Sequence, residues 1–354
     1  MLNGFSDRLR GVFTALPTPL NDNGRIDLVT MTRLLEFQRH QKIDGIVPAG
    51  TTAGVLEEYE QMGIIGFVLR YGQSHGLHVL PGLGSNSTRH SIKLTEFAVS
   101  LGAKAGLYVD PYYYCPNSVQ LRMDYYSPLA QTFPGFGIVP YVIPGRTGGT
   151  GLEPRDLSIL ANSHPNIIGV KYAASSHERA AKMRSLCPTL RLMSGDDDQT
   201  LPLMRDSSTT FDGAISVMSN VIPLAIGKMI RRQRSGKAVE AAKISQQIAP
   251  LLGIVSVRSG TCDDYDFPGH KKELLWRNPL PLLTMMAGLG MIPFSIRQPL
   301  GKMPLDAVLI VRSALRQVWT DAQWALDPIA DCFGVNVEER IEDDQIWQSL
   351  ARAC

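Results

Sequence analysis

No excess of charge, no unbroken apolar span and no pairing pattern of cysteines marks this sequence. Lys and Arg number 35 against 33 Asp and Glu, a net charge of +2. That balance, without a basic stripe or an acidic tail, argues against a nucleic-acid partner and against a solvating role. The five cysteines, Cys115, Cys187, Cys262, Cys332 and Cys354, stand far apart, with no CxxC and no metal-ligand spacing. This points away from a disulfide framework and toward a reducing, cytoplasmic setting. The longest charge-free run, residues 279–296 (PLPLLTMMAGLGMIPFSI), is broken by three prolines and two glycines. It reads as a buried helix pair with a turn, and no membrane contact is expected. The opening MLNGFSDRLRG carries charges where an export signal needs an apolar stretch, so none is expected.

What is present is a repeated alternation. Short apolar bursts recur about every thirty residues: GVFTALPTP from 11, DGIVPAGTT from 44, HVLPGLGSN from 78, AGLYVDPYY from 105, GIVPYVIPGR from 137, IIGVKYAA from 167, LRLMSGDDD from 190 and GAISVMSN from 213. Bursts without strict polar alternation are what strands covered on both faces look like. Between them lie helix-like stretches such as LVTMTRLLEFQRHQ and STRHSIKLTEFAVSLG, the latter opening on Ser/Thr and closing at Gly102. Eight such units predict an α/β fold, a (β/α)8 TIM barrel. The rival, a doubly wound open sheet, usually places a glycine fingerprint after its first strand, where this chain has PTPLNDNGRID. From about residue 223 onward the chain reads as helices only, with a polar interruption over 256–278. The expected division is a barrel carrying the active site over 1–235 and a C-terminal helical region with an extended tail over 236–354, whose last forty residues pack on the barrel or on another subunit.

In a barrel of this kind the active site gathers at the C-terminal strand ends. There stand Thr51 and Thr52, Tyr112 and Tyr113, Tyr141 and Arg146, Lys171, and Asp196 and Asp197. Lys171 ends the run NIIGVK, which looks like a buried strand, and a charged ammonium there is unfavourable unless it is solvated, paired or neutral. A partly desolvated amine is a nucleophile toward carbonyls, as Schiff-base chemistry requires. Phenols and threonine hydroxyls both donate and accept protons, and Arg146 offers a planar fork to a carboxylate. The set suits a keto acid. Singly, each residue has a plainer reading: Lys171 as a snorkelling lysine, Tyr112 to Tyr114 as packing, Arg146 as a structural ion pair with a rim carboxylate. The run GDDD reads as a solvated strand-end turn, HGLH at 75–78 as surface, and RTGGTG lacks the lysine of a phosphate loop.

With GTT at 50–52, PYY at 111–113, YVIPGRTG at 141–148, IIGVK at 167–171, SGDD at 194–197 and GAISVMSNVIP at 213–223, the chain resembles the pyruvate-dependent class I aldolase superfamily that contains dihydrodipicolinate synthase and N-acetylneuraminate lyase. The likeness runs from about residue 8 to 305, and Arg146 in the RTG motif favours the synthase branch. The resemblance implies that Lys171 forms an imine with pyruvate and that Tyr141 is the proton relay. It implies that Thr51 links Tyr141 to a Tyr113 brought across a subunit interface, in a homodimer or homotetramer. It assigns Thr51 and Thr52 to the pyruvate carboxylate, Arg146 to the carboxylate of an aldehyde, aspartate 4-semialdehyde, and the backbone of Gly195 and Ile215 to the pocket wall. No cofactor and no metal are implied. A sugar-acid lyase or dehydratase, or a non-catalytic barrel kept for binding, are the alternatives. Against the family pattern, Ala53-Gly54 stand for Gly-Glu, Tyr172 for the Glu after the lysine, and His90 for a regulatory Glu beside Asn86.

Overall fold

The apolar bursts become eight short parallel strands: β1 Gly11–Ala15, β2 Gly45–Val47, β3 His78–Val79, β4 Ala105–Val109, β5 Gly137–Val142, β6 Gly169–Tyr172, β7 Arg191–Ser194 and β8 Gly213–Ser216. The structure, a computed structural model, describes residues 4–264 and 267–352, leaving aside the side chains of 260–272. Cys354 and the side chain of Cys262 therefore lie outside the described residues, among which Cys115, Cys187 and Cys332 are free thiols. The strand order is β3-β2-β1-β8-β7-β6-β5-β4. The chain just after β3 closes the ring onto β4 through a parallel bridge between Gly82 and Leu107, with Leu107 N donating to Pro81 O at 2.9 Å. This is the expected nearly closed (β/α)8 barrel.

Helices cover the outside for local reasons. Asp27 Oδ1 accepts from Val29 N and Thr30 N, both at 3.0 Å, and opens the helix Leu28–His40. Ser87 Oγ accepts from His90 N to open Thr88–Ser100, and Gly102, at φ 83°, lets the chain turn off after it. The residues alternate between two cores. Phe13, Val47, Leu107, Val139, Met193 and Ile215 fill the barrel interior, and Phe5 and Leu9 of the N-terminal turn join that cluster. Residues such as Val12, Ile46, Ile138, Val142, Val170 and Leu192 instead meet the surrounding helices.

Beyond the barrel the expectation of helices alone is corrected. After the helix Ala238–Leu252, residues 256–278 include an antiparallel pair, β9 Ser256–Asp264 and β10 Phe267–Arg277, with Val257 opposite Trp276. A hairpin of this kind is not covered on both faces, so its strands lack the apolar run by which β1–β8 were legible. The predicted helix pair over 279–296 is corrected too. One helix, Leu280–Gly288, is buried along its whole length, and Gly290 at φ 77° starts a non-helical segment held by Pro293 and Pro299. No helix among the described residues is long and apolar enough to cross a membrane. The last helices pack on this chain's own barrel. Phe333 meets Phe37 edge-on at 5.4 Å, and Trp347 is fully buried, its Nε1 donating to Arg340 O at 3.0 Å.

Asp110, directly after β4, is fully buried, with Tyr126 OH donating to its Oδ1 at 2.5 Å. Burial pushes its carboxyl up to about 7, against the pull of that bond and of Arg179. A carboxyl raised above its unfolded value stabilises least when ionised, so stability should fall as pH rises from about 4 to about 7. Asp110→Asn should remove that slope and gain on the order of 3 kcal/mol at pH 8, measured by denaturant unfolding across pH.

Candidate active site

Strand register brings the candidate pair together. Tyr141 of β5 stands opposite Lys171 of β6, and Lys171 Nζ lies 4.1 Å from the centroid of the Tyr141 ring. The neighbours Val142, Val170 and Tyr172 point into the outer core, while Tyr141 packs on the interior cluster that holds Ile215. Lys171 is only 4% exposed, and among the described residues no carboxylate pairs with it. Burial lowers its pKa to about 8, Asp196 and Asp197 oppose that shift, and the Arg146 charge adds to it. The same burial holds the Tyr141 phenol well above its usual range, so the hydroxyl keeps its proton. An amine that gives up its proton near pH 8, beside a proton-bearing phenol, is the arrangement that carbinolamine formation and dehydration need.

The remaining predicted residues fall into three groups. Gly195 and Thr52 support the pair's surroundings. A Cβ on Gly195 would sit 3.0 Å from Lys171 Cε and 2.7 Å from Ala173 Cβ, so only glycine leaves the lysine its place. Thr52, buried at the first turn of Thr51–Val55, accepts from Thr18 N at 3.0 Å, which leaves its hydroxyl proton to donate elsewhere. Arg146 does not form the rim ion pair considered above: its Nη2 donates to Asn278 O at 2.7 Å, at the foot of β10. The third group stays apart in the single chain. Thr51 is exposed, Tyr113 is 77% exposed and packs edge-on against Tyr114, and no hydrogen bond joins Thr51, Tyr113 and Tyr141 among the described residues. The Tyr113 loop is nevertheless ordered, because Asn86 Oδ1 accepts from Tyr112 N at 2.8 Å and Tyr113 N at 2.9 Å.

One reading of the sequence is overturned here. The GDDD run is not a solvated turn, since Asp197 is 3% exposed and accepts from Ser216 Oγ and, at 3.0 Å each, from Val217 N and Met218 N. It ties the end of β7 to the turn after β8. The paired signal was the serine and bare amides of ISVMSN, which the pairing of β7 with β8 brings opposite the aspartate. Of the departures from the family pattern, Tyr172 OH donates to Ser176 O at 2.7 Å, and nothing lies within 4 Å of a Cβ on Gly54.

Residues 8–262 match the model of the Dihydrodipicolinate synthetase family. The chain belongs to that family. Among curated members, the 4-hydroxy-tetrahydrodipicolinate synthase of Endomicrobium trichonymphae is 33% identical over 308 residues, 86% of this chain and 97% of that one. Among solved family structures, the 4-hydroxy-tetrahydrodipicolinate synthase of Methylacidiphilum fumariolicum matches with a TM-score of 0.78 and 28% identity, covering 92% of this chain and 99% of that one. A structure described as a monomeric dihydrodipicolinate synthase variant matches at 0.77, with 26% identity over 90% and 99% of the two chains.

Proposed function

We propose that this protein is a class I aldolase that condenses pyruvate with aspartate 4-semialdehyde, the reaction of a 4-hydroxy-tetrahydrodipicolinate synthase. The observation that carries the reading is the buried, unpaired Lys171 amine over the Tyr141 ring. Neutral Lys171 attacks the pyruvate carbonyl, and Tyr141 OH passes protons to and from the carbinolamine as water leaves. The iminium withdraws electrons and acidifies the methyl group, whose lost proton leaves an enamine. That carbon attacks the aldehyde, and the amine of the new adduct displaces Lys171 as the ring closes. Thr52 donates to the pyruvate carboxylate, and Arg146 turns its remaining N–H groups to the carboxylate of the aldehyde.

Thr51 and Tyr113 complete the relay across the interface of a homodimer or homotetramer, a role that suits a tyrosine whose ring is largely exposed in the single chain. A cytoplasmic location fits the free thiols. Borohydride reduction with pyruvate present tests the reading: a mass gain on the peptide holding Lys171 supports it, and none favours a binding barrel. Turnover of aspartate 4-semialdehyde with pyruvate, set against cleavage of sugar acids, separates the synthase from its nearest enzymatic alternative.

Feedback by lysine should be weak. His90, at the place of a regulatory carboxylate in the family pattern, faces Glu58 at 3.7 Å, and Asn86 is engaged by the Tyr113 loop. An imidazole is a poor partner for an ammonium. Rates should stay within about twofold of the uninhibited value in millimolar lysine; strong inhibition would refute this.

A further inference from the structure

The turn Thr51–Val55, which carries both candidate threonines, has few bonds of its own. Ala53 N donates to Gly50 O at 2.9 Å and Leu56 N to Ala53 O at 3.0 Å. The chain enters it through Ala49 at φ 55°, a left-handed conformation that a residue with a Cβ keeps only where its surroundings impose it. Partners outside the turn therefore decide where the two hydroxyls stand. One is in the loop after β1, where Thr18 N donates to Thr52 Oγ1 at 3.0 Å. The other comes from 242 positions further along the chain.

Arg297 stands in the non-helical segment that follows Gly290, and all three nitrogens of its guanidinium are engaged. Nη1 donates to the carbonyl of Val55, the last residue of the turn, at 3.4 Å and to Glu60 Oε2 at 2.5 Å. Nη2 donates to Glu60 Oε1 at 2.7 Å, which completes a two-pronged pair. Nε and Nη2 also reach Gly24 O in the loop after β1, at 2.9 and 2.7 Å. Glu60 Oε2 in turn accepts from Glu57 N at 3.0 Å and closes the start of the helix Glu58–His75. One planar cation joins the loop after β1, the turn after β2 and the helix beyond it. The loop and the turn are thus pinned at two places, Thr18 to Thr52 and Gly24 through Arg297 to Val55. The Glu60 side chain is 12% exposed and that of Arg297 25%, so this pair is held more firmly than a solvated one. A lysine, a single point charge, cannot span the carboxylate and both carbonyls.

We infer that Arg297 is a positioning residue, which fixes the turn after β2 so that Thr52 meets the pyruvate carboxylate. This rests on the synthase reading and adds to it a residue outside the barrel. Arg297→Lys, which keeps the charge and loses the fork, is the test, with Glu60→Gln as a second variant and thermal melts as the control for folding. In Arg297→Lys the KM for pyruvate should rise about 5- to 20-fold, with a fall in kcat, through Thr51, of no more than about threefold. The KM for aspartate 4-semialdehyde should change by no more than about twofold, because Arg146 stands on the far side of the mouth, after β5. Glu60→Gln, which keeps an acceptor for the fork, should raise the pyruvate KM by about two- to fivefold. A lower melting temperature with the pyruvate KM unchanged in both variants overturns the assignment, because a merely structural tie alters the amount of folded enzyme and not its affinity. An equal rise of KM for both substrates overturns it as well. Failure of the underlying reading looks different, because borohydride would then trap no pyruvate on the unaltered protein.

Discussion

Lys171→Ala abolishes turnover, with kcat falling by about 10⁴-fold or more, and removes the borohydride-trapped pyruvate adduct. On the proposed mechanism the amine is the atom that bonds to the substrate. Lys171→Met extends the test to the fold. The folded-state pKa is about 8 against 10.5 for the free side chain, so the buried ammonium destabilises the protein fully below about pH 8. That penalty is relieved as pH rises from about 8 to about 10.5. At pH 7 the methionine variant should therefore be more stable by roughly 3 kcal/mol, seen as a rise in Tm, while being inactive. A variant both inactive and less stable would show that the lysine serves the barrel's packing. In the unaltered protein the rate of pyruvate imine formation should climb with pH through an apparent pKa near 8, as the amine loses its proton.

Tyr141→Phe separates the phenol's proton from its ring. Phenylalanine keeps the aromatic face that lies 4.1 Å from Lys171 Nζ and the packing on the barrel interior, and loses only the hydroxyl. The kcat should drop by about 10²- to 10³-fold, with a change in KM for pyruvate of no more than about threefold. Borohydride should still trap pyruvate on Lys171, more slowly, because the nucleophile remains. Retention of more than about a third of the activity would end the relay assignment.

The two residues of this pair were legible for different reasons. Lys171 was conspicuous because an amine terminates an apolar run, a local anomaly that needs no partner to be noticed. Tyr141 stands thirty positions earlier, and nothing local distinguishes it from Tyr108 or Tyr126, which are buried elsewhere. The hairpin β9–β10 escaped notice because its strands, SVRSGTCDD and FPGHKKELLWR, carry neither an apolar run nor a regular alternation and so resemble a loop. Asp196 and Asp197 are identical and adjacent, yet Asp197 ties β7 to the turn after β8 while Asp196 stays half-buried and, among the described residues, nothing donates to its carboxylate.

By itself the sequence determined the eight-fold alternation, the ends of the strands where chemistry collects, and the family. The alternation and the strand ends rest on periodicity and caps, which are properties of neighbouring residues, and the family on the resemblance that its short motifs carry. Only the tertiary structure decided that Tyr141 and Lys171 stand in register, that Asp197 is spent on a neighbouring strand, and that Arg146 is held by the foot of the hairpin. The physical reason is pairing: parallel strands about thirty residues apart become neighbours only after a helical crossover returns the chain to the same edge of the sheet. Which charges then share the low-dielectric space at the mouth is a property of the barrel and of no segment alone.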